Sequence, residues 1–278
     1  MISLYTLLIT LIPFKMKKFI IPSLMILLGF ITMSLTPAKE GVVLRLKPNK
    51  GATYKVTTKI SMMNMMEVQG QSMSSTQVNE NRQTITIKDI NEDAVTVESK
   101  TEAMKLTISQ MGMVLTYDSE HPEKTSPMLA DQVDELAAAL NEITTSKYDS
   151  QGNPLKEEDE DQEGAASGSA FIPLPDEAVS VGSTWNSHKN QEVSGTKIVG
   201  DMNYTVTKIS KKSIEIEVKG TISGEEGVEG SYDGTASINP TTGMIIKSSI
   251  KMNVSLTISQ QGLTIPLTMN GTTNITVE

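Results

Sequence analysis

Residues 246–277 read IKSSIKMNVSLTISQQGLTIPLTMNGTTNITV, and this stretch decides the fold. Ile246, Ser248, Ile250, Met252, Val254, Leu256 and Ile258 share one parity, while Lys247, Ser249, Lys251, Asn253, Ser255 and Thr257 share the other. After Ser259-Gln260-Gln261-Gly262 the alternation resumes with its parity reversed. Leu263, Ile265, Leu267, Met269, Ile275 and Val277 then oppose Thr264, Thr268, Asn270, Thr272, Asn274 and Thr276. Successive side chains of a strand point to opposite faces, so each run has one apolar and one wet face. A four-residue connection ending in Gly predicts a hairpin. It would set Leu256 against Ile265, Val254 against Leu267, and Met252 against Met269. A slip of one residue would turn every one of these side chains into water, which makes the facing well specified.

Working outward, the rest of the chain speaks the same language. Aromatic residues are 4% of the 278, against 17 Met, so core volume has to come from Ile, Val, Leu and Met. Thr, Ser, Ile and Val crowd the second half, which favours strands. Tyr54, Val56, Thr58, Ile60 and Met62 predict a strand that dissolves into Met62-Met63-Asn64-Met65-Met66, with a loop expected over Gln69–Gln77. Gln83–Ile90 and Val95–Ile108 predict two more strands. The change of parity between Val97 and Met104 predicts a bulge in the second of them.

One helix is expected. Ser126 is placed to cap it, Pro127 to open it, and Leu129, Val133, Leu136, Leu140 and Ile143 recur at helical spacing. A helix this short is marginal alone, so its apolar stripe should lie on the sheet. The fold class expected is mainly β, as antiparallel curved sheets or half-barrels in two similar halves with this helix packed on the first.

Residues 1–38 read as an export signal: Met16-Lys17-Lys18, an apolar run from Phe19 to Leu35, then Thr36-Pro37-Ala38, with Met16 the expected start. The first β body would span 39–156, an acidic and Gly/Ser linker 157–170, and the second body 171–278. There is no Cys, so neither disulfides nor thiol catalysis are available, and export without disulfides suits the periplasm or envelope of a Gram-negative bacterium. Removing 1–38 takes away Lys15, Lys17 and Lys18 and no acid, which moves the net charge from −9 to −12. A body this acidic is repelled by phosphate backbones, which argues against nucleic acid as a partner.

Three motif runs occur in order: Thr116-Tyr117-Asp118-Ser119, Tyr148-Asp149-Ser150-Gln151-Gly152, and Leu174-Pro175-Asp176 leading to Val181-Gly182-Ser183-Thr184-Trp185. In this order they resemble a family of exported bacterial envelope proteins, best known from Bacteroidota-type genomes, over most of the mature chain. The resemblance implies export and β architecture. The family has no established activity, so no catalytic residue carries over.

Chemistry-bearing residues are few. Met62, Met63, Met65 and Met66, with Met73 nearby, are soft ligands of the kind Cu(I) takes, but their parities divide, so one strand cannot aim all four at one ion. His121 and His188 are the only imidazoles. An enzyme would need Asp118, Asp149 and Asp176, all on turns, brought together as an acid–base pair. Trp185, Tyr204 and Tyr232 read as anchors of the second core, and the glycosylation-like triplets at Asn203, Asn253, Asn270 and Asn274 as chance. The function expected is a non-enzymatic envelope protein that buries an acyl chain or a protein partner against an adaptable apolar face. Met62, Met66, Ile250, Met252, Leu267 and Met269 are its candidate contacts. The alternative is a scaffold whose apolar faces are fully packed. No cofactor or metal is expected. The partners expected are a lipid or an envelope protein, and membrane contact is expected only through the export segment.

Overall fold

Twelve strands and one short α-helix follow one another along the described residues of the computed structural model, which are 41–68, 70–92, 94–138, 140, 142–155, 170–193, 196–224, 227–260 and 263–278. The order is β1 (Thr53–Val68), β2 (Gln71–Ile90), β3 (Val95–Gln110), β4 (Met113–Asp118), α1 (Ala130–Ala138), β5 (Ile143–Tyr148) and β6 (Pro154–Leu155). It continues with β7 (Thr184–Val193), β8 (Thr196–Ile209), β9 (Ile214–Gly224), β10 (Glu229–Ile238), β11 (Ile245–Gln260) and β12 (Leu263–Val277). The expected export segment 1–38 and all of the expected linker 157–170 except Ala170 lie outside the described residues.

All pairings are antiparallel. The sheet runs β6-β5-β3-β2-β1-β12-β11-β10-β9-β8-β7, with β4 also on β3, and it is open rather than closed. The second half of the chain is therefore a meander, and the first is one except that β4 and β5 both pair with β3. The strand that begins the first half, β1, pairs with the strand that ends the second, β12, from Val56↔Val277 to Met66↔Leu267. Buried side chains of both halves share one core: Val56, Ile85, Ile87 and Val97 with Tyr204, Val206, Ile216 and Ile238.

This core sits at one end of the sheet, on the face we call inner. Two irregular segments cover it there. Residues 41–47 bring Leu44 and Leu46, and residues 170–179 bring Ala170, Phe171, Leu174 and Val179, all buried. Burial of each large side chain stabilises by about 1.5–3 kcal/mol. The segments are held by main-chain bonds. Val42 and Val179 exchange N–H···O bonds of 2.8 Å, Leu46 N–H donates to Ser150 O at 2.7 Å, and Ile245 N–H donates to Ala170 O at 3.0 Å. Arg45 fastens one to the other, its Nη1 donating to Pro175 O at 2.8 Å and its Nη2 to Asp176 O at 2.7 Å.

The β11–β12 hairpin is present with its faces as expected and its register moved by two residues. Leu256 opposes Leu267, Val254 opposes Met269 and Met252 opposes Gly271. Pairing continues to Gln260↔Leu263, so the connection is two residues rather than four. A shift of two preserves parity, which is why the facing survives the error. The expected bulge of β3 is also present: Arg82 opposes Ala103 and Gln83 opposes Thr101, with Glu102 between them.

Three local expectations are corrected. Gln71–Gln77 is not a loop but the start of β2, paired from Val68↔Gln71 to Met62↔Gln77. A polar segment with Ser and Thr joins a sheet readily when an ordered neighbour supplies the ladder. Ser126 does not cap the helix. Its Oγ accepts from the Thr116 N–H at 2.9 Å, and a 3-10 turn, Pro127–Leu129, leads into α1 instead. Ile143 is no part of the helix but opens β5, opposite Lys100, and is 61% exposed. Leu129 is buried, and Val133, Leu136 and Leu140 are half-buried.

Gly243 shows how tightly the 41–47 segment is fitted. Its φ is 71°, and a Cβ there would run into the Arg45 carbonyl. Gly51 has a φ of 79° with open space around it. We expect Gly243→Ala to lower stability by about 2 kcal/mol or more and Gly51→Ala by about 1 kcal/mol, read as urea midpoints. Equal losses would mean that the segment does not lie against Gly243.

Candidate functional site

The sheet's long strands carry the inner face well past the covered core, and register places the candidate contacts there, except Ile250, which packs against that core. Met62 and Met66 on β1, Ile250 and Met252 on β11, and Leu267 and Met269 on β12 belong to three adjacent strands. Met66 opposes Leu267, while Met62 and Met252 both oppose Gly271. Directly opposed residues project to the same side, so all six share the inner face. A Cβ on Gly271 would stand 3.5 Å from Met252 Cε, so that side chain lies across the glycine. All six are half-buried. Met252 and Met269 pack on a second buried cluster of Ile222, Val228 and Val254, with Ile198, Tyr232 and Leu256 beside them.

Methionine parity divides as the alternation requires. Met62 and Met66 face inward, and Met63 and Met65 stand 40% and 41% exposed on the outer face. The four thioethers do not converge on one point. Polar interruptions of the inner face include Asn64, opposite Met269 and Ser75, and Asn79 and Asn81, opposite Leu106 and Met104. Each buries a side-chain oxygen that meets no donor among the described residues. The expectation from sequence missed these three. Amid so much Asn, Thr and Ser, nothing but strand parity marks them, and β2 was not read as a strand over its whole length.

Charges gather on the outer face. Lys59 opposes Glu80, Glu80 opposes Lys105, and Asp233 opposes both Lys219 and Lys251. A shallow depression of about 280 Å³ is lined by the outer-face residues Ser231, Asp233, Lys251, Asn253, Asn270 and Thr272, with Met252 and Gly271 between them. Met252, one of the candidate contacts, thus lines it together with these polar residues.

The three aspartates are engaged in local structure. Asp118 is buried at the end of β4. Burial pushes its pKa up, but the Glu120 N–H it accepts at 3.1 Å and the Lys105 ammonium at 3.5 Å outweigh this and hold it below the ordinary value. Asp149 accepts N–H bonds from Gln151 and Asn153, both at 2.8 Å, closing the turn after β5. Asp176 accepts from the Gln151 side chain, so Asp149 and Asp176 bind the same glutamine while Asp118 lies on another strand. His121 meets Glu123 at 3.2 Å in an exposed turn. Trp185 stacks on the buried Tyr204, with ring centroids 5.2 Å apart, and its Nε1 donates to Pro173 O at 2.8 Å. This pair anchors the second half of the core as expected. Tyr232 stands in the second cluster.

No family model and no curated protein matches the chain. Among solved structures it superposes on a chain described under lipid–protein interactions in lipovitellin, at 10% identity and a TM-score of 0.47, over 83% of this chain and 25% of that one. The chain thus spans about a quarter of the length of that lipovitellin chain. It also superposes on an outer membrane channel from Pseudomonas putida F1, at 10% identity and a TM-score of 0.28, over 87% of this chain and 99% of that one.

His188 on β7 meets Asp201 on β8 at 2.6 Å on the outer face. The hydrogen bond and the charge of Asp201 raise the imidazole's pKa above the ordinary 6.5. Because the folded value is raised, the pair's contribution to stability is complete below the unfolded value and is lost as pH rises through the folded one. In an NMR titration we expect Asp201→Asn to return His188 toward its ordinary value. An unchanged midpoint would dissolve the pair.

Proposed function

We propose that this is an exported, non-enzymatic envelope protein that binds an amphiphile or acyl chain on the uncovered part of its inner face. One observation carries the reading. Met62, Met66, Met252, Leu267 and Met269, with Ile250 at the margin of the covered core, form a half-exposed apolar surface over three strands that Asn64 interrupts. Thioether chains have soft torsions and reshape around a guest, which suits an adaptable surface more than a rigid pocket. The sequence around the site is also free of charge. No acidic or basic residue occurs from Met252 to Val277, from Ile60 to Met66, or from Leu106 to Tyr117. A binding role is further supported by the carboxylates, since Asp118 and Asp149 are committed to an ion pair and a turn. The export segment 1–38 supports the envelope as the setting, as does the absence of Cys.

A second reading has its own observation. The tip of the β3–β4 hairpin exposes Met111 by 73%, Met113 by 51% and Val114 by 62%, apolar surface that a protein partner would cover.

The test is uptake of a fluorescent fatty acid by delipidated protein. We expect saturable binding, weakened at least about tenfold by Met66→Asp or Leu267→Asp, because each would set a carboxylate into the apolar contact. Met63→Asp, on the outer face, serves as the control and is expected to bind as the native protein does. Absence of uptake by the native protein would end the reading.

A further inference from the structure

Lys189 breaks the rule that the other charged strand residues obey. Lys59, Glu80, Lys105, Lys219, Asp233 and Lys251 all take outer-face positions in the register. Lys189 on β7 opposes Gly200, and Gly200 opposes Ile222, which places the lysine on the inner face. No other charged residue of the described strands has an inner-face position. Its surroundings are apolar: the Tyr232 ring lies against Gly200, and Ile198 and Ile222 belong to the second cluster. The lysine is half-buried, burial lowers its pKa, and no acid pairs with it among the described residues.

A desolvated cation without a counter-charge is costly, and an incoming anion offsets that cost. The register supplies the direction. One inner-face row runs Lys189, Gly200, Ile222, Gly230, Val254, Met269, from the free edge of β7 to the candidate contacts. Five strand spacings of about 4.8 Å make the row about 24 Å long, comparable with a long acyl chain. Ile222 and Val254 of this row are buried, and the half-buried Ile198, Tyr232, Met252 and Met269 pack against them. We infer that Lys189 receives the anionic head group of an amphiphile whose apolar chain lies over these half-buried side chains, in the direction of the row, toward Met269. The inference rests on the ligand reading above and adds the head group's charge and the orientation of the chain.

Lysine turned inward on an edge strand has another known use, discouraging edge-to-edge association, and the experiment separates the two. Laurate and dodecanol, equal in chain length and different in charge, compete for protein loaded with the neutral dye Nile red at neutral pH. We expect laurate to bind about tenfold tighter than dodecanol, the scale of one charge-assisted hydrogen bond. Lys189→Gln is expected to abolish that preference while still binding dodecanol, and Lys189→Arg to retain it. Equal affinities in the native protein, or a preference that survives Lys189→Gln, overturns the inference and leaves the apolar site standing. Self-association of Lys189→Gln by light scattering, with no head-group preference in the native protein, assigns the lysine to edge protection and likewise overturns it. If neither compound displaces the dye, the ligand reading falls and this inference falls with it.

Discussion

The pairing of β1 with β12 is the constraint on which the rest depends. Within each half, strands that follow one another in sequence pair in space, except β4 and β5, which both pair with β3, and such hairpins form from local signals. The β1–β12 ladder joins residues more than two hundred positions apart, Val56 with Val277 and Thr58 with Ile275. Without it each meander would expose a long central edge and half of a core. With it, Val56 and Ile275 enter the same buried cluster as Ile216 and Ile238. Closing so long a loop costs entropy only logarithmically in its length, and the shared apolar cluster offsets that cost.

Stability and the candidate site are divided along the length of the strands. At one end the 41–47 and 170–179 segments cover the inner face, and the large buried side chains concentrate there. Toward the other end the same face continues with half-buried methionines and leucines and three asparagines whose buried oxygens meet no donor. A core that completes its packing at one end leaves the far end free to remain adaptable. The same period of two that segregates oil from water also segregates charge, so that Lys189 stands out as an exception rather than as one lysine among many.

Legibility followed the range of the interaction that sets each feature. The bulge at Glu102 could be read because a parity change within one strand is a local signal. The turn at Asp149 could be read because its side chain bonds the backbone N–H groups of Gln151 and Asn153. The hairpin register was read with an error of two because parity cannot tell a four-residue connection from a two-residue one. The start of β2 was missed because Ser72, Ser74 and Thr76 take strand form only with β1 beside them. Ser126 was assigned to the helix because its use by Thr116 arises from a neighbouring strand.

Of the candidate site, the sequence by itself determined which residues face inward, because alternation is written in every strand. It determined the divided aim of Met62 and Met63 and the uncharged run from Met252 to Val277 for the same reason. Only the tertiary structure decided that Met66 meets Leu267, that Asn64 stands beside Met269, and that a row from Lys189 reaches them. Those neighbours depend on which strands lie side by side. Strand order is set by burial summed over the whole sheet, and no local stretch of residues contains that sum.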